Sequence, residues 1–199
     1  CGGGRASIPL VPPANELIGI DRSGAMLDAF VDAARVTGVA RRTVHGTWPD
    51  VAGHTPHADV VICHHVLYDV ADIVPFLFAL TDHARLAVVV EVPLRHPMSA
   101  WSDAWMHFWG IERPQGPGLT DLLAVLDELG LDPEHTTSAL PPLSRASADP
   151  ATLVPTARQR LCLPADRDDE LANWLADHPP SFVDTVATIR WPGEASPDR

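Results

Sequence analysis

The 199-residue sequence predicts an α/β domain with a doubly wound, mostly parallel sheet. Short apolar runs alternate with segments of helical periodicity over the first half of the chain. Residues 85–93 (RLAVVVEVP) are apolar on both faces, which is typical of a central strand in a parallel sheet. Residues 183–192 (VDTVATIRWP) alternate and are β-branched, which favours a strand near an edge. Together these patterns indicate a sheet with helices on both faces.

The first half of the chain contains four predicted strands and two predicted helices. The strands are 15–21, 42–46, 60–63 and 85–93, and the helices are 22–38 and 72–84. Ser23 is expected to cap the first helix, because its hydroxyl can accept a bond from a free backbone N–H. Gly38 is expected to close the same helix.

After Pro93 the sequence becomes more aromatic and its elements are less regular. Residues 96–110 have aromatic side chains at helical spacing, and 120–130 form a clear helix that Thr120 is expected to cap. The remaining predicted elements are a strand at 134–140, helical segments at 150–163 and 166–178, and the strand at 183–192. The proline-rich stretches 140–155 and 192–199 are predicted to be a loop and a frayed tail.

Charge and cysteine content restrict the partners and the location of the protein. The net charge of −12 comes from 14 basic and 26 acidic side chains, and no basic run stands out. Binding to nucleic acid needs clustered Lys and Arg, so the charge argues against DNA, RNA and anionic membranes as partners. The three cysteines, Cys1, Cys63 and Cys162, form no CxxC pair, which favours a reducing, cytoplasmic location. No apolar stretch reaches about 18 residues, so no membrane span is expected.

The glycines of the opening stretch CGGGRAS, together with Asp21, form the first candidate binding site. Glycine lets backbone N–H groups approach a ligand, and an acid that ends a strand about twenty residues later can bind vicinal ribose hydroxyls. The same acid could instead cap the helix that starts near Ser23, and the two roles are compatible. The pair favours a nucleoside site.

Four blocks in order, CGGG, LIGID, HGTW and VICHHVLYDV, resemble a class I S-adenosylmethionine-dependent methyltransferase of a bacterial, small-molecule type. In that family the first strand ends in a Gly-x-Gly-x-Gly turn, and CGGG matches its last four positions. The resemblance covers about residues 1–95 and implies a Rossmann-like fold whose antiparallel last strand is inserted between its neighbours. It also implies that the first strand lies upstream of Cys1. We therefore expect a fragment of a longer protein that lacks the strand between those ending at Asp21 and Cys63.

The resemblance implies S-adenosyl-L-methionine as the cofactor and methyl transfer to a small-molecule acceptor as the activity. We expect a single methyltransferase domain over residues 1–192, with a cofactor half at about 1–95, a substrate or lid half at about 96–192, and a tail at 193–199. The implied cofactor-binding residues are Cys1, Gly2, Gly3, Gly4, Asp21, Ser23, Met26, Thr47, Trp48, Cys63 and His64. Thr47 departs from the family pattern, because the family usually offers an acid to the adenine amine at this position.

His65 is the candidate general base, because the resemblance puts it near the methyl donor and histidine can accept a hydroxyl proton near neutral pH. The alternative is that His65 only ends the strand through backbone bonds. The expected substrate-binding residues are Tyr68, Trp101, Trp105 and His107, and for the tryptophans the alternative is core or lid packing. No metal site is expected, because neighbouring side chains on a strand point to opposite faces.

Two other functions remain open at this point. A degenerate, non-catalytic S-adenosylmethionine-binding or scaffold protein is supported by the absent adenine acid at Thr47. An NAD(P)-dependent Rossmann oxidoreductase would also use an acid after the second strand, but the residues after Gly4 fit its Gly-x-Gly-x-x-Gly spacing poorly. The sequence indicates neither the acceptor atom nor the oligomeric state.

Overall fold

The computed structural model describes residues 1–140 and 150–195, with the side chains of residues 150 and 151 excluded. Strands in this part of the chain are β1 (Glu16–Asp21), β2 (Ala40–His45), β3 (Ala58–His64), β4 (Ala84–Pro93), β5 (Glu134–Ala139) and β6 (Thr185–Pro192). The α-helices are α1 (Gly24–Thr37), α2 (Ile73–His83), α3 (Ser102–Trp109), α4 (Leu119–Glu128), α5 (Pro150–Arg160) and α6 (Asp168–Asp177). The α/β class predicted from the sequence is confirmed.

The strands form two sheets, one with the order β1-β2 and the other with the order β3-β4-β6-β5. The pairs β1/β2 and β3/β4 are parallel, with Asp21 opposite His45 and His64 opposite Glu91. β6 runs antiparallel to β4, because the N–H of Gly193 bonds the carbonyl of Leu86 while the N–H of Leu94 bonds that of Thr185. A mostly parallel arrangement with an inserted antiparallel last strand is therefore confirmed.

The edges of β1 and β3 that face away from β2 and β4 are not joined to each other by any strand of residues 1–140 and 150–195. This is the arrangement expected for a sheet without the strand between those ending at Asp21 and Cys63. The expectation that the chain is a fragment of a longer protein stays a prediction.

The chain divides into two compact units. Unit 1 contains Cys1–Glu91, Leu126–His135 and the segment that starts at Ile189, and unit 2 contains the described residues of Val92–Val125 and Thr136–Thr188. The single domain expected over residues 1–192 stays a prediction. No helix in the described ranges is long and apolar enough to cross a membrane.

Helix α1 begins and ends as its sequence predicts. The Oγ of Ser23 accepts a bond from the N–H of Met26, and Gly38 ends the helix with a positive φ of 73°. On the inner face of α1, Phe30 and Ala34 pack with Leu17 of β1 in a buried cluster. Burial of this apolar stripe holds α1 against the β1-β2 sheet.

The core of unit 2 is built from α3, α5, α6 and the short 3₁₀ segment Pro97–Trp101 that precedes α3. Its buried residues are Trp101, Ala104, Phe108, Ala157, Leu161, Leu163, Leu171 and Leu175. The aromatic segment 96–110 thus supplies core side chains as well as surface ones. Gly110 ends α3 with a positive φ of 63°.

Two local expectations were wrong. Thr120 lies inside α4, which begins at Leu119, and the carboxylate of Asp121 instead accepts the N–H of Gly118 at 2.8 Å. Residues 150–155 were expected to be part of the proline-rich loop 140–155 and also of the helical segment 150–163, and they form the beginning of α5, so the loop expectation is wrong there. The rest of that loop from residue 141, and the last four residues of the tail, lie outside the described residues.

A buried polar contact in unit 1 yields a stability test. The indole N–H of Trp191 donates to the Thr81 hydroxyl at 2.9 Å, and that hydroxyl donates to the carbonyl of Leu77 at 3.0 Å. Thr81→Val keeps the volume but leaves the buried indole N–H without its acceptor, so we expect a loss of about 1–3 kcal/mol in unfolding free energy. Urea denaturation followed by tryptophan fluorescence measures it.

Thr156→Val is the matched control for this test. The Thr156 hydroxyl makes the same kind of bond, to the carbonyl of Thr152 at 2.8 Å, but it is exposed. Its loss should cost less than about 0.5 kcal/mol. Equal effects of the two substitutions would contradict the role assigned to the Trp191 contact.

Candidate functional site

The candidate site of unit 1 lies at the carboxyl ends of its parallel strands. Asp21 ends β1, His64 ends β3, and Glu91 lies opposite His64 near the end of β4. Carboxyl ends of parallel strands meet at one edge of a sheet, and the loops that follow them commonly carry ligand-binding residues. β1 and β3 belong to different sheets, but the amino group of Cys1 acts on the pKa of Cys63, so the N-terminal loop and the end of β3 lie near each other.

The glycine loop is tied to the carboxylate at the end of β1. The N–H of Gly2 donates to Asp21 Oδ2 at 2.7 Å, and the amino nitrogen of Cys1 lies 2.9 Å from the same oxygen. Gly2 and Gly4 have φ values of 53° and 82°, in the left-handed region that favours glycine. A Cβ on Gly4 would come within 3.0 Å of both Ile8 and Phe30, whereas one on Gly2 would meet nothing within 4 Å. The loop is thus packed at Gly4 and open at Gly2.

Asp21 is held as an anion by these donors and by the turn that leads into α1. Its Oδ1 accepts the N–H of Ser23 at 2.9 Å. Burial alone would raise the pKa of Asp21, but the hydrogen bonds from the N–H of Ser23, the amino group of Cys1 and the N–H of Gly2 outweigh it and lower the pKa to about 2. The helix cap itself is Ser23, so Asp21 stabilises the turn before the helix and keeps acceptor capacity at the strand end.

The residues expected around an adenine are exposed to different degrees. Thr47, in the loop after β2, is exposed, and Met26 on the first turn of α1 is 44% exposed. Trp48 is half-buried against α2, where its indole N–H lies 3.4 Å from the carbonyl of Phe76 and its ring meets the edge of His83. Both the N–H and the ring of Trp48 thus make contacts within the protein.

Cys63 and His64 are less exposed to solvent than His65. Cys63 is buried, and burial raises the pKa of its thiol to about 12, although the amino group of Cys1 lowers it somewhat. Burial also lowers the pKa of His64, against the opposing effect of Glu91. His65 has a half-exposed side chain and a φ of 58°, an uncommon conformation for a residue other than glycine. Among these three, His65 has the chemistry and exposure of a proton acceptor.

Glu91 is a site residue that the sequence reasoning missed. Its Oε1 lies 3.1 Å from Nε2 of His65, and its carbonyl accepts the N–H of His65 at 2.8 Å. The only signal in the sequence is a single acid near the end of the apolar run 85–93. That run was interpreted as packing alone, and the parallel pairing of β3 with β4 is what brings the acid to the histidines.

The residues expected to bind substrate belong to both units. Tyr68 is in unit 1, half-buried on the 3₁₀ turn Leu67–Asp69. In unit 2, Trp101 is 4% exposed in the core, so core packing accounts for its burial. Trp105 is half-buried with the Arg113 guanidinium over its ring, and His107 stacks on Trp174.

Unit 2 contains a polar cavity of about 270 Å³. Its walls include Arg95, Ser99, Ser102, Asp103, Gln115, Trp174 and His178. The hydroxyl oxygens of Ser99 and Ser102 are buried and have no hydrogen-bond partner among the described residues. Buried polar atoms of this kind are satisfied most simply by water or a ligand. Trp174, which carries the stacked ring of His107, links one expected substrate residue to this cavity.

The residues that the structure describes contain no group of three or more His, Cys, Asp or Glu side chains that could hold a metal ion. Cys63 is also an unsuitable ligand as it stands, since metal binding needs the thiolate.

Comparison with known proteins identifies the fold. No family model matches the chain, and no curated protein does. Among solved structures, the YcgJ protein from Bacillus subtilis is 14% identical, with 98% of this chain and 89% of that chain covered and a TM-score of 0.60. Magnesium protoporphyrin IX methyltransferase from Synechocystis, with bound S-adenosylhomocysteine, is 16% identical. The match covers 96% of this chain and 70% of that chain, with a TM-score of 0.55.

A third similar structure is precorrin-6y C5,15-methyltransferase from Geobacter metallireducens, 13% identical, with 97% of this chain and 76% of that chain covered and a TM-score of 0.50. The chain therefore has the fold of the class I S-adenosylmethionine-dependent methyltransferases. The resemblance found in the four sequence blocks is confirmed at the level of the fold.

Thiol reactivity tests the burial of Cys63. Cys162 is exposed and Cys63 is buried with a raised pKa, so a disulfide reagent at pH 8 should modify Cys162 at least about 100-fold faster than Cys63. The side chain of Cys1 is only 14% exposed, so the two rates are compared in Cys1→Ser. Guanidinium chloride should release Cys63, and equally rapid reaction of both thiols in the folded protein would show that Cys63 is accessible.

Proposed function

We propose that the protein transfers a methyl group from S-adenosylmethionine to a small-molecule acceptor. The observation that carries the proposal is the ionised carboxylate of Asp21, which ends β1 and is bound by the N–H of Gly2. A carboxylate in this position accepts hydrogen bonds from ribose hydroxyls, and the open face of Gly2 lets a ligand approach the backbone. The fold shared with methyltransferases supports the choice of this nucleoside over a dinucleotide.

The residues proposed to hold the cofactor come from the N-terminal loop, the end of β1, the start of α1, the loop after β2 and the end of β3. They are Cys1, Gly2, Gly3, Gly4, Asp21, Ser23, Met26, Thr47, Trp48, Cys63 and His64. The N–H of Ser23 and that of Gly2 keep Asp21 ionised, and Oδ1, which accepts only the N–H of Ser23, keeps an acceptor site for a ribose hydroxyl. The exposed Met26 and the ring of Trp48 are suited to apolar contact with an adenine.

Bound S-adenosylmethionine would supply an electrophilic methyl group on a sulfonium centre. The protein then has to orient the acceptor, exclude water and remove a proton where the accepting atom carries one. His65 is proposed for the last task, since its imidazole is half-exposed at the end of β3. Tyr68, Trp101, Trp105 and His107 remain the proposed substrate-binding residues, with Trp101 acting as support from the core.

A small molecule is proposed as the acceptor because the chain has a net charge of −12 and no basic run for nucleic acid. The polar cavity of unit 2 is of a size that suits a small ligand or part of one. A cytoplasmic location and the absence of a membrane partner remain predictions from the sequence.

A non-catalytic S-adenosylmethionine-binding or scaffold function is the second candidate, and Thr47 is the observation that favours it. Thr47 stands where the family usually offers an acid to the adenine amine, and its position is exposed. A protein of this kind would bind the cofactor without transferring its methyl group. Incubation with radiolabelled S-adenosylmethionine and a small-molecule cell extract separates the two functions, because only an enzyme labels the extract.

The test of the proposed site is titration calorimetry with S-adenosylhomocysteine. Asp21→Ala removes the carboxylate that would accept from the ribose, so we expect its Kd to rise about 10- to 100-fold, as for the loss of hydrogen bonds to a charged group. Asp28→Ala is the matched control, since Asp28 is an exposed acid on α1, and its Kd should not change. Absence of binding by the unmodified protein would refute the proposal, and an unchanged Kd in Asp21→Ala would remove Asp21 from the site.

A further inference from the structure

Two side chains of opposite charge line the polar cavity of unit 2 without pairing with each other. Arg95 lies two residues after β4, Asp103 lies in the first turn of α3, and both belong to the cavity wall. No ion pair joins them, and neither side chain has a hydrogen-bond or ion-pair partner among residues 1–140 and 150–195. A ligand that carries both charges would give each of these side chains a partner.

Two buried hydroxyls add hydrogen-bonding capacity to the same wall. Ser99 lies in the 3₁₀ segment Pro97–Trp101, and Ser102 follows three residues later at the start of α3. Both hydroxyl oxygens are buried and have no hydrogen-bond partner in the part of the chain that the structure describes. A buried hydroxyl without a partner is unfavourable, and most such groups in folded proteins bond to water or to a ligand. A serine hydroxyl changes direction by rotation about one bond, so both can donate to a carboxylate oxygen placed in the cavity.

The aromatic part of the wall already makes contacts within the protein. The ring of Trp174 stacks on that of His178, with 4.6 Å between the ring centroids and 7° between the ring planes. The same indole stacks on His107, with 5.4 Å between the centroids. The imidazole of His178 also forms a hydrogen bond of 3.0 Å with the carbonyl of Trp174. Since two imidazoles already stack on the indole, we expect polar groups rather than ring stacking to select the ligand.

The volume of the cavity limits the size of the ligand. About 270 Å³ is the space of about nine water molecules at about 30 Å³ each, so the cavity suits a molecule of about nine non-hydrogen atoms. Pro179 and Pro180 supply an apolar part of the wall, against which a short aliphatic chain can pack. The cavity therefore fits a compact molecule with two charged groups and a short apolar chain.

We infer that the cavity of unit 2 binds a small zwitterion of the amino-acid class. The guanidinium of Arg95 and the hydroxyls of Ser99 and Ser102 hold its carboxylate, and the carboxylate of Asp103 holds its ammonium group. A simple carboxylate leaves Asp103 unmatched and a simple amine leaves Arg95 unmatched, so each of them binds less tightly. The inference goes beyond the proposed function, because all of these residues belong to unit 2 and the binding requires no S-adenosylmethionine.

Titration calorimetry of the unmodified protein with three probes of similar shape tests the inference. L-leucine carries both charges, 4-methylpentanoate lacks the ammonium group, and isoamylamine lacks the carboxylate. Without S-adenosylmethionine, we expect saturable binding of L-leucine with a Kd at least about tenfold lower than that of either other probe. Failure of L-leucine to bind at concentrations up to about 10 mM, or equally tight binding of 4-methylpentanoate, would overturn the inference. Both results come from the unmodified protein, so they decide the question even if a variant does not fold.

Substitutions in the wall test the two charged contacts separately. Asp103→Asn should raise the Kd of L-leucine at least about tenfold and leave that of 4-methylpentanoate unchanged, because only L-leucine has an ammonium group for the anion. Arg95→Gln should raise both Kd values about tenfold or more, since both probes carry the carboxylate.

Asp169→Asn is the matched control for Asp103→Asn. Asp169 is also an exposed acid in the first turn of a helix of unit 2, but it is not part of the cavity wall, so its substitution should change neither Kd. Equal effects of the two substitutions on L-leucine binding would contradict the role assigned to Asp103.

A competition experiment separates this cavity from the proposed cofactor site. S-adenosylhomocysteine also contains an amino-acid group, so L-leucine bound at the cofactor site would be displaced by an excess of it. L-leucine bound in unit 2 should keep its Kd, and its displacement would overturn the inference. Failure of S-adenosylhomocysteine itself to bind concerns the proposed function alone.

Discussion

The carboxylate of Asp21 joins three pieces of backbone that are distant in sequence: the glycine loop, the end of β1 and the turn into α1. Each N–H that it accepts belongs to a loop or a helix start, where the regular structure offers no acceptor. A partly buried charge is unfavourable unless it is hydrogen-bonded, so the loop stabilises the carboxylate and the carboxylate orders the loop. The candidate site depends on this mutual support.

Packing beneath the loop reinforces the same arrangement. Phe30 of α1 lies so close to the backbone of both Gly4 and Gly19 that an added Cβ would approach its ring to 3.0 and 2.8 Å. The approach of Gly4 packs the loop against the Phe30 ring, and the approach of Gly19 packs β1 against the same ring. Residues 1–4 are thus part of the packing of α1 and β1, and Gly2 is left with an open face.

Helices and strands that are specified by neighbouring residues in the sequence could be predicted from it. Ser23 and Gly38 define α1 because capping depends only on the nearest turn of backbone, and the doubly apolar run of β4 indicates burial on both faces. Thr120 was misjudged because it and Asp121 are adjacent polar residues in the first turn of α4, and the bond between Asp121 and the N–H of Gly118 depends on the path of the preceding loop. The burial of Trp101 could not be predicted, because it requires α5 and α6, more than forty residues later in the sequence, to pack on it.

The two acids of the candidate site, Asp21 and Glu91, show that strand register, and not the sequence alone, determines which groups each acid contacts. Asp21 accepts the N–H groups of Gly2 and Ser23 and a bond from the amino group of Cys1, and its lowered pKa keeps it ionised over the whole neutral range. Glu91 faces two imidazoles, with its Oε1 3.1 Å from Nε2 of His65 and 4.0 Å from Nδ1 of His64. Asp21 ends β1 and Glu91 lies near the end of β4, so both acids follow apolar runs in the sequence. Only the strand pairing distinguishes the partners of the two acids, because it brings Glu91 opposite His64 and Asp21 opposite His45.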